Sequence, residues 1–187
     1  MSGQSSSSLE TIVLGGGCFW CVEAVLTEIK GIESIEPGYS GGHVANPTYE
    51  QVCGKDTGHI EVARVRYDSS ILSLQDVLTV FFGTHDPTTP DRQGNDVGPQ
   101  YASAIFWEGE AQRIAVQDFV DGLVRDKVFP DPIVTKLLPL EKFWPAEEYH
   151  RDYFARHPSQ GYCQFVIAPK VAKMRSQFQD KLEKKIN

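Results

Sequence analysis

Residues 11–31, TIVLGGGCFWCVEAVLTEIKG, begin as a β-branched and apolar run, break on three glycines and continue with apolar residues at helical spacing. Thr11 to Leu14 therefore predicts a buried strand that stops at Gly15. Val22, Val25, Leu26 and Ile29 mark the inward face of a helix over Cys18 to Lys30, with Gly31 as its stop. Cys18 stands at the start of that helix, where the positive end of the macrodipole and unpaired backbone N–H groups favour a thiolate. Gly15 to Gly17 carry no side chains, so the backbone there would admit close approach of a substrate.

Outward from this opening, Ile32 to Tyr39 predicts a second strand, the loop SGGHVANP follows, and Tyr49 to Val52 predicts a helical turn. His59 to Tyr67, HIEVARVRY, is dense in β-formers. Ser73 to Phe82 has helical periodicity behind a Ser cap, with Asp76 placed to complete a capping box. Residues 83–100, GTHDPTTPDRQGNDVGPQ, are too rich in Gly, Pro and Asp for regular structure, and long ordered loops in compact domains usually carry function. Tyr101 to Trp107 predicts a strand, Glu110 to Lys127 an amphipathic helix and Ile133 to Leu138 a last strand. The order β-α-β-β-α-β is that of the ferredoxin-like α/β plait, in the α+β class. A short helix over Ala146 to Arg156 and an irregular tail through Gly161 and Cys163 would wrap the sheet. The expected organisation is a disordered leader or tag remnant over residues 1–10, one domain over 11–169, and a basic helix or tail over 170–187.

Composition narrows the function. At 187 residues with 41% hydrophobic and 23% charged, the chain can bury a core of its own. A net charge of -7 argues against nucleic acid and acidic membranes as partners. The exception is the end, where Lys170, Lys173, Arg175, Lys181, Lys184 and Lys185 face only Asp180 and Glu183. No run approaches the roughly 18 apolar residues of a membrane span, and the N-terminus lacks a secretory pattern, so a cytoplasmic monomer is expected. Four cysteines are too few for a secreted disulfide scaffold and suggest thiol chemistry, metal binding or core filling.

Several residues could carry that chemistry. Phe19 and Trp20 beside Cys18 could wall an apolar pocket for a small methyl or thioether group, or serve as core aromatics. Cys21 completes a Cys-x-x-Cys with Cys18, which permits a redox disulfide or half a zinc site. Glu61 lies among Ile60, Val62 and Ala63; burial would raise its pKa until it could donate a proton near neutrality, whereas an exposed strand position would not. Tyr49 and Tyr101 flank the two irregular loops as possible O–H donors, and Asp96 in GNDVG could orient them or close an Asx-turn. Two other functions remain open at this point: a thioredoxin-like oxidoreductase using Cys18 and Cys21, and a zinc module built from Cys18, Cys21, Cys53 and His59.

The segments GGCFW with VEA behind it, GYSGG, NPTYEQVC, TGHIEV, HDPT, RQGNDVGPQYASAIF, PIVT, FWPAEEYH and GYC, spread from Thr11 to Ala168, resemble the A-type peptide methionine sulfoxide reductases. The resemblance implies an α/β plait that reduces the S epimer of methionine sulfoxide, with no cofactor or metal. Carried over, it makes Cys18 the nucleophile on sulfur, Phe19 and Trp20 the methyl pocket, Glu61 the acid, Tyr49 and Tyr101 donors to the sulfoxide oxygen, and Asp96 their support. It implies repair of oxidised proteins, with thioredoxin as the reductant. Cys163 matches the family's resolving cysteine, while Cys21 stands where the family commonly has Gly and no cysteine follows Cys163. The Gly-flanked tail favours Cys163 as the resolving thiol, with Cys21 as the alternative, and Cys53 is expected in the core.

Overall fold

The computed structural model describes residues 8–183. Most of the expected leader, and Lys184 and Lys185 of the basic end, lie outside the described residues. Strand β1 (Leu9–Gly16) leads through the glycines into helix α1 (Phe19–Leu26). Then come β2 (Ile32–Ser40), the short α2 (Tyr49–Cys53), β3 (Ile60–Asp68) and α3 (Leu74–Gly83). Inside the long loop, β4 (Arg92–Gln93) and β5 (Asp96–Val97) form a small ribbon. A 3-10 turn over Pro99–Tyr101 enters β6 (Ser103–Trp107), and α4 (Glu110–Arg125), β7 (Lys136–Pro139) and β8 (Phe143–Pro145) follow.

The large sheet has the order β7-β6-β1-β3-β2-β8. Its four middle strands run antiparallel as β6-β1-β3-β2, which realises the expected plait. After α4 crosses over, β7 extends the sheet parallel to β6, and β8 extends it beside β2.

Strand alternation distributes the side chains. On β3, Ala63, Val65 and Tyr67 enter the main core with Val22, Val25 and Leu26 of α1 and Val77, Leu78 and Phe81 of α3. Ile60 and Val62 face the other way, into a smaller cluster with Val13, Ala104 and Phe106. Glu61 therefore shares the helix-covered face. Both α2 and α3 start on capping boxes, Thr48 with Gln51 and Ser73 with Asp76.

The structure differs from the sequence reading in several places. Residues 83–100 are ordered by the β4–β5 ribbon and by Gln93, which is buried, accepts from Asp86 N–H at 2.8 Å and donates to Asp86 O at 2.9 Å. Gln93 also covers Gly17, whose φ is +91°; a Cβ there would lie 2.7 Å from the Gln93 side chain. The glycine is needed for packing and backbone geometry, so this face of the turn is not open to a substrate. The last expected strand starts at Lys136, because Val134 N–H donates to Pro87 O at 2.8 Å and Thr135 Oγ1 meets Ser103 Oγ at 2.8 Å. Ala146 to Arg156 is divided into a 3-10 turn at Glu148–His150 and the short helix α5 (Tyr153–Arg156).

The tail is helical rather than irregular. A π-helical turn at Cys163–Ile167 runs into α6 (Ala168–Gln177), since Ile167, Val171 and Met174 recur on one face and are buried in the main core. Arg175 makes a short paired contact with Glu28, and Lys181 Nζ donates to Asp76 at 2.8 Å. Arg175 and Lys181 of the basic end are thus docked on acidic positions of the same fold. Among the described residues no helix is long and apolar enough to cross a membrane.

Beneath α3, His85 Nδ1 meets Phe81 O at 2.6 Å and His85 Nε2 meets Ser103 Oγ at 2.8 Å. Ser103 passes the chain on to Thr135. Burial first of all lowers the His85 pKa to about 4, leaving the imidazole neutral.

Candidate active site

The turn between β1 and α1 is the centre of the site. Cys18 is the N-cap of α1, with φ -55° and ψ 128°, and its carbonyl accepts from Cys21 N–H at 3.0 Å. Its side chain is buried. Burial pushes the thiol well above its ordinary value, followed by its hydrogen bond with Cys21 and the charge of Glu61. Desolvation thus outweighs the helix terminus that, from the sequence, favoured a thiolate. Cys21 behaves oppositely. Its interaction with Cys18, acting against burial and helped by Lys170 and Tyr162, lowers it to about 7.

Glu61 reaches this turn from β3. Phe19 N–H, in the first turn of α1, donates to Glu61 Oε1 at 3.2 Å, while the buried Oε2 has no hydrogen-bond partner among the described residues. Burial dominates and pushes the carboxyl up to about 8, against the pull of the Phe19 N–H; Asp96 and Cys21 raise it further. The side chain is a neutral acid at pH 7 with one oxygen uncommitted.

Aromatic residues surround it. Phe19 is wholly buried between Tyr39, at 5.7 Å between ring centroids, and His150, at 4.9 Å. Trp20, Tyr49, Tyr101, Tyr153 and Tyr162 are only partly buried. Tyr153 lies flat on Trp20, 3.7 Å between centroids at 4° between planes, and Tyr162 meets the indole edge-on at 5.9 Å. Burial and then Glu61 push both Tyr49 and Tyr101 above the usual phenol range, which places both phenols in the field of that carboxyl. Asp96 accepts from Tyr162 O–H at 2.6 Å, and the same oxygen lies 3.7 Å from Cys21 Sγ.

The sequence reading did not single out the residues that hold this arrangement. Glu147 accepts from Tyr39 O–H and from Tyr49 N–H, each at 3.0 Å. Trp20 Nε1–H donates to His150 Nδ1 at 2.9 Å, so the proton of the neutral imidazole sits on Nε2, which is buried and without a partner among the described residues. Asp152 N–H donates to Glu23 Oε1 at 2.6 Å. Residues 147–153 therefore grip Tyr49, Trp20 and α1 together. Glu147 and His150 sit in FWPAEEYH and Glu23 in VEA, segments quoted for the resemblance, but their partners lie 98 to 130 residues away.

Cys53 is not a core residue: it is half-buried at the end of α2, and burial first and Glu61 next raise its thiol while the Tyr49 hydroxyl opposes them. Cys163 is fully buried, and its thiol is raised by burial and then by Cys21. All four cysteines are free. His59 uses both ring nitrogens on the loop after β2, accepting from Gly42 N–H at 3.0 Å and meeting Val44 O at 2.6 Å. Among the described residues no three His, Cys, Asp or Glu side chains are grouped to hold a metal ion.

Comparison with known proteins bears on this geometry. The family profile described as peptide methionine sulfoxide reductase matches residues 10–182. The chain is 50% identical over 180 residues to a peptide methionine sulfoxide reductase MsrA of Ralstonia nicotianae, covering 94% of each chain. To an MsrA of Thermus thermophilus it is 52% identical over 173 residues, 92% of this chain and 97% of the relative. Among solved structures, methionine sulfoxide reductase A of Corynebacterium diphtheriae superposes with a TM-score of 0.75 at 32% identity, covering 84% of this chain and 78% of that one. A cysteine at a helix start, a neutral buried acid beside it and an aromatic surround thus occur in a chain that belongs to the peptide methionine sulfoxide reductase family.

Proposed function

We propose that this protein reduces the S epimer of methionine sulfoxide, free or peptide-bound, to methionine and so repairs oxidised proteins. One observation carries the reading: Glu61 is buried beside the Cys18 turn, protonated at neutral pH, with Oε1 tied to Phe19 N–H and Oε2 uncommitted. A sulfoxide oxygen leaves only when protonated, and an uncommitted neutral carboxyl supplies that proton where charge develops.

In this reading the Cys18 sulfur attacks the sulfoxide sulfur, and the thiol proton replaces on Glu61 the one that Glu61 gives to the oxygen. Glu61 protonates the oxygen while the Tyr49 and Tyr101 hydroxyls donate to it. Phe19 and Trp20 form the apolar wall for the methyl group, with Trp20 as its open face and Phe19 behind. Asp96 supports the site through Tyr162. The protonated oxygen passes from the substrate sulfur to the Cys18 sulfur, so the substrate leaves as methionine and Cys18 becomes a sulfenic acid.

Cys21 is the first resolving thiol. It interacts directly with Cys18 and is the more acidic of the two, so its thiolate condenses with the sulfenic acid to a Cys18–Cys21 disulfide, releasing water. Cys163, within the field of Cys21, then attacks Cys21, forming a Cys21–Cys163 disulfide and freeing Cys18. Thioredoxin reduces that bond, and the cytoplasm, whose reducing poise keeps such thiols free, is the setting.

The test is single turnover with a dabsylated methionine sulfoxide peptide, its two epimers supplied separately, followed by thiol counting and disulfide mapping. Methionine from the S epimer alone, with two thiols lost per turnover, is expected. Equal use of both epimers, or turnover by Cys18→Ser, would refute the reading. In Cys163→Ser the disulfide should stop at Cys18–Cys21; a Cys18–Cys163 bond in Cys21→Ser at the wild-type rate would remove Cys21 from the sequence of steps.

A further inference from the structure

Phe165 is 81% exposed, more than any other large hydrophobic side chain among the described residues. It lies two positions after Cys163 in the π-helical turn Cys163–Ile167. That turn has two sides: Cys163 and Ile167 are buried, whereas Gln164 and Phe165 are exposed, continuous with exposed Gln160 and Gly161. π-turns are uncommon and are found frequently at functional sites. A fully presented aromatic ring loses hydration favourably only when a partner covers it.

We infer that Phe165, with Gln160, Gly161 and Gln164 around it, is the docking surface for a protein dithiol reductant of the thioredoxin type. The inference rests on the proposed function above, in which the Cys21–Cys163 disulfide is the bond to be reduced. Both sulfurs of that bond belong to buried residues. A small thiol can diffuse to a buried disulfide when the turn opens, but a protein must first seat on the surface beside it. Phe165 is the apolar anchor next to Cys163, and truncation of a buried aromatic anchor is the change to which such interfaces respond most.

The chemistry balances. One thiolate of the seated reductant attacks Cys163 Sγ, the Cys21–Cys163 bond breaks, and Cys21 leaves as a thiolate beside Lys170 and takes up a proton. The reductant's second thiol then attacks its own sulfur in the mixed disulfide, and Cys163 leaves and is protonated. The reductant ends as a disulfide, oxidised by two electrons, and this protein as a dithiol.

The experiment compares wild type, Phe165→Ser and Phe165→Leu in steady-state reduction of a methionine sulfoxide peptide, with either dithiothreitol or thioredoxin plus its NADPH-dependent reductase. In Phe165→Ser the KM for thioredoxin should rise about tenfold or more, the dithiothreitol-supported rate should stay within about twofold, and Phe165→Leu should recover part of the loss. An unchanged thioredoxin KM overturns the docking surface. A parallel loss with both reductants overturns it too, because Phe165 would then serve the fold. If wild type turns over with dithiothreitol but not with thioredoxin, the assignment of the reductant itself fails, and the docking surface with it.

Discussion

Glu61 on β3 and Glu23 on α1 are the same side chain in almost the same situation. Each is buried, each has one carboxylate oxygen on a backbone N–H, and each leaves the other oxygen without a partner among the described residues. Burial is the first cause of the raised pKa in both, to about 8 for Glu61 and about 7 for Glu23. Their surroundings separate them. The N–H that holds Glu61 belongs to the residue after Cys18, and its charge is felt by Cys18, Tyr49 and Tyr101. Glu23 holds Asp152, a residue in the left-handed region with φ 50°, and thereby the segment that supports Trp20. Burial makes a neutral acid; the groups in front of it decide whether it is used for catalysis or for position.

The largest effect should come from removing the proton donor. Glu61→Gln keeps the acceptor for Phe19 N–H but cannot deliver a proton, so kcat/KM should fall about a thousandfold without loss of melting temperature. A loss below about tenfold would place Glu61 in the same class as Glu23. In wild type, kcat/KM should decline as pH rises through about 8, where Glu61 loses its proton. That limb should be absent from the residual activity of Glu61→Gln.

Glu23 should respond in stability instead. Its folded-state pKa lies above the ordinary carboxyl value of 4.5, so the folded protein holds the proton more tightly than the unfolded chain. The associated stability is complete below about 4.5 and is lost as pH rises through about 7. Denaturant titration should accordingly show Glu23→Gln gaining on wild type over that interval, by about 2 kcal/mol at pH 8, with activity within about threefold. Glu23→Ala should lose about 1–3 kcal/mol, because Asp152 N–H is left unpaired. The smallest effect is expected at Glu147→Gln, which retains an acceptor for only one of Tyr39 O–H and Tyr49 N–H: a KM raised about threefold at unchanged kcat.

The two carboxylates also show how far the sequence could be read. Glu61 was legible as a candidate because Ile60, Val62 and Ala63 around it are apolar whichever face of the strand it occupies. The β-α-β-β-α-β order was legible because each element carries its own periodicity and caps. Glu23 was not, since its partner Asp152 is 129 residues away and no local pattern announces the contact. The raised Cys18 thiol was missed because the helix terminus is a local signal, while the burial that overrides it is tertiary. The turn through Cys163 is different: Pro158 and Gly161 drew the reading there toward irregular structure, although Ile167, Val171 and Met174 repeat at helical spacing and Pro169 suits a first turn.

The hydrogen-bond chain from Thr135 through Ser103 and His85 to Phe81 has a polarity that its distances alone do not express. Phe81 offers only a carbonyl, so His85 must donate from Nδ1 and accept at Nε2; Ser103 must then give its proton to His85 and receive one from Thr135. Every hydroxyl in the row points the same way. A proton arriving on Nε2, as acid approaches pH 4, turns the imidazole into a donor at both ends and forces the Ser103 hydroxyl to turn its proton away from it. Acid strain therefore enters this enzyme through a row of neutral groups joining α3, β6 and the approach to β7, and both Glu61 and Glu23 are already protonated when it does.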